Sequence, residues 1–336
     1  MRKCFLRVVI LFTLSLWPAG AGAEDQTSSS RRTFEHVILV SFDGLRPDAI
    51  TSLGPGKAPA FYDLMATGTG TLNARTDYDY TETLPNHTCM LTGVGVTGEK
   101  GHGFTANMPE EERPIHKLKG RYVPSLFLNL QEKGLRSALF AAKKKFVVFP
   151  NSYLINYYEI IDRKDDPVFE AFLNKLKDSP PQFIFLHLGG PDFAGHYRGW
   201  DPTVGTPYSN QVKRMDKFLG KILKAIREDT RLRDTTAVIV TSDHGGYKNN
   251  HLDSSDPRDY TIPFFVWGEG IARGQDLYAI NPESRKDPVK ERIPYDASGQ
   301  PIRNGDAANL ILSLFGLPPV PDSTINNKQD LNVFPQ

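Results

Sequence analysis

Five short apolar runs, at residues 36–42, 137–141, 182–188, 237–242 and 262–267, constrain this chain more than any other feature. Unbroken apolar stretches of this length suit strands buried on both faces. Between and after them, residues 58–66, 123–133, 168–177, 210–228 and 306–315 place apolar side chains at three-and-four spacing, which predicts helices. The order predicts an α/β fold, with a mostly parallel central sheet and helices on both faces. No internal repeat interrupts it. Residues 270–304 and the Pro-rich stretch 316–336 read as surface loops and a tail. With 336 residues, 39% hydrophobic and 24% charged, the chain can bury a sizeable core, and collagen-like, coiled-coil and disordered classes are excluded.

Arg2, Lys3 and Arg7 precede an apolar stretch over residues 8–17, and Ala21-Gly22-Ala23 supplies small residues before Glu24. This is the pattern of a secretory signal peptide over residues 1–23, and its apolar run is shorter than the roughly 20 residues that span a bilayer. Residues 24–34 are polar and read as a flexible leader, leaving residues 35–336 as one domain. The expected mature protein is periplasmic or secreted, without a membrane anchor. Losing Cys4 leaves Cys89 alone, so no intramolecular disulfide forms and Cys89 is expected to pack as a small apolar residue. Forty basic residues less the three in residues 1–23 face 39 acidic ones, a balance that argues against binding duplex nucleic acid.

In an open α/β sheet, ligands sit beyond the carboxyl ends of the strands. The residues there include Asp43, Asp192 with His196, and Asp243 with His244, and His251 follows shortly after. Three carboxylates and three imidazoles at one rim suffice for two divalent ions of the zinc type. Asp192 and His196, four apart, share one face of a helical turn. The remaining histidines, His36, His87, His102, His116 and His187, are left without a ligand role, and His187 reads as a satisfied core histidine. Pro85 suits the first position of a helix running to about Thr92, which puts Thr83 at its entry among free backbone amides. Beside a divalent ion a threonine hydroxyl there is a candidate nucleophile, and otherwise it is a helix cap.

Two further features invite opposite readings. Gly93-Val94-Gly95-Val96-Thr97-Gly98 matches a dinucleotide fingerprint, but a helix precedes it where a strand is required, so that reading is rejected. Lys143 and Lys145 follow a strand and share one face, so they reach either an anionic substrate or solvent. Tyr153, Tyr157 and Tyr158 are candidates for stacking on a base or for packing.

Phe42-Asp43-Gly44-Leu45-Arg46, Thr83-Leu84-Pro85-Asn86-His87, His102-Gly103, Pro191-Asp192-Phe193-Ala194-Gly195-His196 and Ser242-Asp243-His244-Gly245 stand in an order that resembles the alkaline phosphatase superfamily. The likeness is to its nucleotide pyrophosphatase/phosphodiesterase branch, also called type I phosphodiesterases, and it spans about residues 36–268. It implies an alkaline-phosphatase-like catalytic domain over residues 35–336 with two Zn2+ ions and a threonine nucleophile, Thr83. Asp192, His196 and His251 would hold one ion, and Asp43, Thr83, Asp243 and His244 the other. His251 lies seven residues after His244, closer than in many nucleotide-cleaving members. Asn107, after the His-Gly pair, would hold a nonbridging phosphate oxygen.

The expected activity is hydrolysis of small phosphodiesters or phosphoanhydrides through a phosphothreonine intermediate. One alternative is a phosphonate or phosphomonoester hydrolase with the same metals, because phosphonoacetate hydrolases use lysines near Lys143 and Lys145. A second is a non-catalytic exported binding protein. Sulfatase activity is disfavoured, since that branch matures a Cys or Ser followed by Pro and Arg.

Overall fold

The computed structural model describes residues 33–108 and 114–336. The signal-peptide reading and residues 24–32 of the leader lie outside the described residues. Eight strands among the described residues form one sheet: β1 (His36–Phe42), β2 (Thr69–Arg75), β3 (Ser137–Ala141), β4 (Tyr157–Ile160), β5 (Phe183–Leu188), β6 (Thr236–Thr241), β7 (Thr261–Gly268) and β8 (Gln275–Asp276). Their order is β4-β3-β5-β1-β6-β7-β2-β8. β1 pairs in parallel with both β5 and β6, whereas β7 runs antiparallel to β6 and β2. The expected mostly parallel α/β sheet is therefore present. β2, β4 and β8 went unread because they are short, polar or only half-buried.

The helices are α1 (Pro47–Lys57), α2 (Pro59–Thr67), α3 (Thr83–Thr92), α4 (Ile115–Lys119), α5 (Leu126–Glu132), α6 (Val148–Ser152), α7 (Asp165–Asp178), α8 (Gly190–Arg198), α9 (Pro207–Glu228), α10 (Pro257–Tyr260) and α11 (Asp306–Leu314). Alternation along β1 sends Val37 and Leu39 into one core with α3, α5 and α11. Ile38 and Val40 enter the other, with α1, α2, α7 and α9. The best-patterned helix is α9, capped by Thr206 and burying Tyr208, Val212, Met215, Leu219, Ile222 and Ile226 along one stripe. Among the described residues no helix is long and apolar enough to cross a membrane.

Two expectations are corrected. Residues 270–304 and 316–336 lack regular structure almost throughout, yet they are not a loose surface: Leu277, Ile280, Ile302, Val320, Leu331 and Val333 are buried. Their irregular backbone is tolerated because side-chain amides satisfy it. Asn309 bridges Ile325 O and Val320 N, and Asn281 joins Leu277 O to both polar groups of Asn332's backbone. The helix carrying Thr83 begins at Thr83 itself, with Glu82 before it, so Pro85 occupies the third helical position rather than the first. A proline is tolerated anywhere in this first turn, where the N–H has no intrahelical partner.

Candidate metal and phosphoryl site

Three strand ends converge through one glycine. Gly44, just after β1, has φ +72, and a Cβ there would lie 3.0 Å from Asp192 Cα. This close approach lets Asp192 N donate to Asp43 O (3.0 Å) and Gly44 N donate to Asp243 Oδ1 (3.1 Å). The end of β1, the start of α8 and the end of β6 are thereby tied together. Asp192 and His196 follow one another on α8, as the four-residue spacing predicted. His251 arrives by a tight turn in which Tyr247 pairs with Asn250, and Thr81 Oγ1 donates to its carbonyl (2.5 Å).

Two groups of ligand atoms result: Asp192, His196 and His251 in one, and Asp43, Asp243 and His244 in the other, each with its atoms within 4.8 Å of one another. In each imidazole Nδ1 donates to a carbonyl: His244 to Gly245 O (2.8 Å), His251 to Thr81 O (2.6 Å) and His196 to Asn249 O (3.1 Å). A carbonyl only accepts, so these bonds fix the tautomer and leave each Nε2 lone pair facing inward. His244 Nε2 stands 3.4 Å from Asp43 Oδ1 and 3.3 Å from Asp243 Oδ2. Those three atoms and Asp192 Oδ1 are buried without any hydrogen-bond partner. Acceptors facing acceptors out of water are unfavourable unless a cation lies between them, so the donor set fits divalent ions of the zinc type.

Ionisation tells the same story. Burial pushes Asp243 well above the usual carboxylate range, and the neighbouring Asp43 charge adds to it. Burial acts against Asp43 too, but Lys143, His187 and His244 hold it well below that range. Burial pushes His244 down to about 4, which keeps it neutral at ordinary pH. The cluster is thus rich in acids and short of cations.

Thr83, the first residue of α3, is almost fully buried at the foot of a cavity of about 460 Å3, which Asn107, Lys143, Lys145, Asp192, His196 and His251 also line. Lys143 Nζ lies 2.7 Å from Asp43 Oδ2, 2.7 Å from Asp192 Oδ2 and 3.3 Å from Thr83 Oγ1, joining one carboxylate of each group to the hydroxyl. Asn107 Oδ1 accepts from Leu84 N (3.1 Å) and from Lys145 Nζ (2.7 Å), which leaves its NH2 group free of those bonds. Burial and the Lys143 charge together push Lys145 down to about 8. The sequence reading thus gathered residues that do stand together. Tyr153, Tyr157 and Tyr158 do not line the cavity; Tyr153 is buried, and Phe193 and Tyr197 line it instead.

Two contributors escaped the sequence. His187 is a satisfied core histidine, but what satisfies it is Asp43: its Nε2 donates to Oδ2 at 2.8 Å, and its Nδ1 accepts from Ala142 N. His87, one turn after Thr83, holds Thr83 O with Nδ1 (2.7 Å) and Ser41 Oγ with Nε2 (2.8 Å), fastening the helix that begins at Thr83 to β1. Position near a strand end or helix entry was the available signal, since His187 pairs with Ser41, two residues before Asp43.

An α/β sheet with helices on both faces and a rim of carboxylates and imidazoles beside a helix-entry threonine defines an alkaline-phosphatase-like protein. Murine ectonucleotide pyrophosphatase/phosphodiesterase 5, solved as an inactive variant in complex with AMP, shares the fold, with a TM-score of 0.65, 17% identity, and coverage of 88% of this chain and 99% of that one. The model of the type I phosphodiesterase / nucleotide pyrophosphatase family matches residues 37–296, and the chain belongs to that family. Human ectonucleotide pyrophosphatase/phosphodiesterase family member 1 is 26% identical over 220 residues, 62% of this chain and 23% of that protein. Bis(5'-adenosyl)-triphosphatase enpp4 of Xenopus laevis is 25% identical over 250 residues, 71% of this chain and 51% of that protein. The chain therefore spans between about a quarter and a half of these curated relatives.

Proposed function

We propose that this protein is an exported two-zinc phosphodiesterase acting on small phosphate diesters or phosphoanhydrides through Thr83. The observation that carries this reading is the pair of ligand groups near Thr83, in which Asp43 Oδ1, Asp192 Oδ1, Asp243 Oδ2 and His244 Nε2 are buried without a hydrogen-bond partner. Asp192, His196 and His251 would hold one ion, and Asp43, Asp243, His244 and Thr83 Oγ1 the other. When bound, the ions supply Lewis-acid stabilisation of the attacking and leaving oxygens. Thr83 Oγ attacks phosphorus, the alcohol or phosphate leaving group departs from the opposite side, and water then hydrolyses the phosphothreonine. His87 holds the Thr83 carbonyl so that the hydroxyl stays aimed at the cavity. The Asn107 amide hydrogens and the Lys145 ammonium suit the nonbridging oxygens, where charge accumulates. The N-terminal pattern of Arg2, Lys3 and Arg7 before an apolar run supports export. Names of the relatives point toward nucleotides as substrates.

One observation favours a second reading, a phosphonate or phosphomonoester hydrolase: Lys143, beside Thr83 Oγ1, and Lys145, bonded to Asn107 Oδ1, both line the cavity, and two ammonium groups suit a more highly charged substrate. Turnover of bis(p-nitrophenyl) phosphate, p-nitrophenyl phosphate and phosphonoacetate by the zinc-loaded protein separates the two. Diester preference, lost in Thr83→Ala at unchanged zinc content, is the expected result. Preference for the monoester or phosphonoacetate would replace the first reading with the second, and turnover undiminished in Thr83→Ala would sink both. A purely binding protein turns over none of them.

A further inference from the structure

A second cavity of about 440 Å3 shares no lining residue with the first. Its walls are the glycine-rich loop rejected above as a dinucleotide fingerprint, part of the irregular segment around Arg285 and Arg303, and the stretch after Thr324. The loop must come close: a Cβ on Gly95 would stand 2.6 Å from the Tyr295 ring.

Charge in this cavity does not balance. Asp306 and Asp330 each lie 2.8 Å from Arg285, and the other oxygen of Asp306 accepts from Arg303 N at 2.7 Å. Both carboxylates are therefore committed. Arg303, 2% exposed, has no carboxylate within ion-pair distance among the described residues. Its guanidinium donates to neutral acceptors, Thr76 O at 3.0 Å, Ile293 O and Gln300 Oε1 at 3.4 Å, and stacks 4.5 Å over Tyr295. The Asp77 carboxylate sits at the hydroxyl end of that ring, accepting from Tyr295 OH (2.7 Å) and from the amides of Val96, Asp79 and Tyr80. Arg303 Nε has no hydrogen-bond partner, and neither does Asn326 Nδ2, although both side chains are more than nine-tenths buried in the cavity wall. Lys100 and Lys328 add two exposed ammonium groups at the rim.

A buried guanidinium facing carbonyls, beside unpartnered donors, is costly unless an acceptor with negative charge completes the set. We propose that this cavity is a binding site for a small oxyanion of the phosphate type, either inorganic phosphate or the phosphate group of a nucleotide. The volume lies within the range of small-molecule sites and admits either. The buried Arg303 and Asn326 and the exposed Lys100 and Lys328 all line it. The inference stands independently of the proposed hydrolysis, because it uses none of the same side chains.

Isothermal titration of the full-length, zinc-loaded protein with inorganic phosphate, and separately with AMP, tests it. Phosphate also fits the first cavity, so the comparison is with a Lys100→Ala/Lys328→Ala double variant, whose exposed positions leave the fold alone, and with Arg303→Met. The expected result is an equivalent of phosphate whose affinity falls at least tenfold in the double variant and is lost in Arg303→Met, while diester turnover stays at the wild-type level in the double variant. Tighter binding of AMP than of phosphate to that same equivalent would identify the nucleotide as the source. If every equivalent bound by the wild type is bound equally by the double variant, the proposal is overturned, whether or not Arg303→Met folds.

Discussion

His187 looks inert in the sequence, one polar residue inside an apolar run, and in the fold it is the group that orients Asp43. Its N–H takes Oδ2, so Oδ1 is the atom turned toward His244. Removing such a partner of a ligating carboxylate typically costs 10–100-fold in metal affinity. His187→Ala is therefore expected to weaken zinc binding by about that factor without unfolding the protein, measured by competition with a chromogenic chelator; unchanged affinity would remove His187 from the account. Gly44 acts through what it lacks. Gly44→Ala places a Cβ against Asp192 at a left-handed φ and is expected to destabilise the fold by about 1–2 kcal/mol or more, read from a denaturant melt. Gly44 sits in, and His187 just before, motifs that the sequence made legible, because Asp43, Asp192, Asp243 and His244 each follow an apolar run within a few residues. Their supporting contacts were not legible: a donor from a neighbouring strand depends on register, which apolar patterning leaves open.

Among the elements, α10 is the short helix that bears on the turn after His244. Asp259 O accepts from Gly245 N at 2.7 Å, and its carboxyl accepts from Asp253 N at 3.1 Å while Oδ1 has no partner. Burial, with the charges of Asp256 and Asp253, pushes Asp259 up to about 7 from 3.8. The folded state therefore keeps this proton up to about pH 7, whereas the unfolded chain releases it near 3.8. Folding takes up a proton in that window, so the contribution of Asp259 to stability declines as pH rises from about 4 to 7 and levels off above. Asp259→Asn should flatten the fall in Tm over that window, and an unchanged slope would show that the carboxyl is not the source. The element map shows what patterning can and cannot convey. Strands buried on both faces announced themselves, but β4, with Tyr157 and Tyr158 exposed, and β2, with its polar Thr69-Gly70-Thr71, did not.

At the scale of the whole molecule, the irregular final stretch is structural. Val320, Leu331 and Val333 are buried, Ala272 N donates to Val333 O, and Arg285 holds both Asp330 and Asn326. Each buried aliphatic side chain contributes roughly 1.5–3 kcal/mol, so losing three approaches the whole net stability of about 5–15 kcal/mol. Deleting residues 317–336 should leave a protein without a cooperative thermal transition; a truncated protein that melts like the wild type would contradict this. Proline-rich composition correctly marked this stretch as irregular but could not report burial, because its polar amides satisfy a backbone that no helix or strand satisfies. The same distinction between composition and placement applies to the charges: a chain near neutrality overall carries an acid-rich cluster in one place and an unbalanced arginine in another.

The central claim is that two groups of ligand atoms hold two zinc ions on either side of Thr83. Metal analysis of the purified protein, with His251→Ala and Asp243→Asn beside the wild type, tests it most directly. Two zinc per chain in the wild type, with each variant retaining close to one, is the predicted result. One zinc or none in the wild type, or full retention of two in both variants, would contradict it.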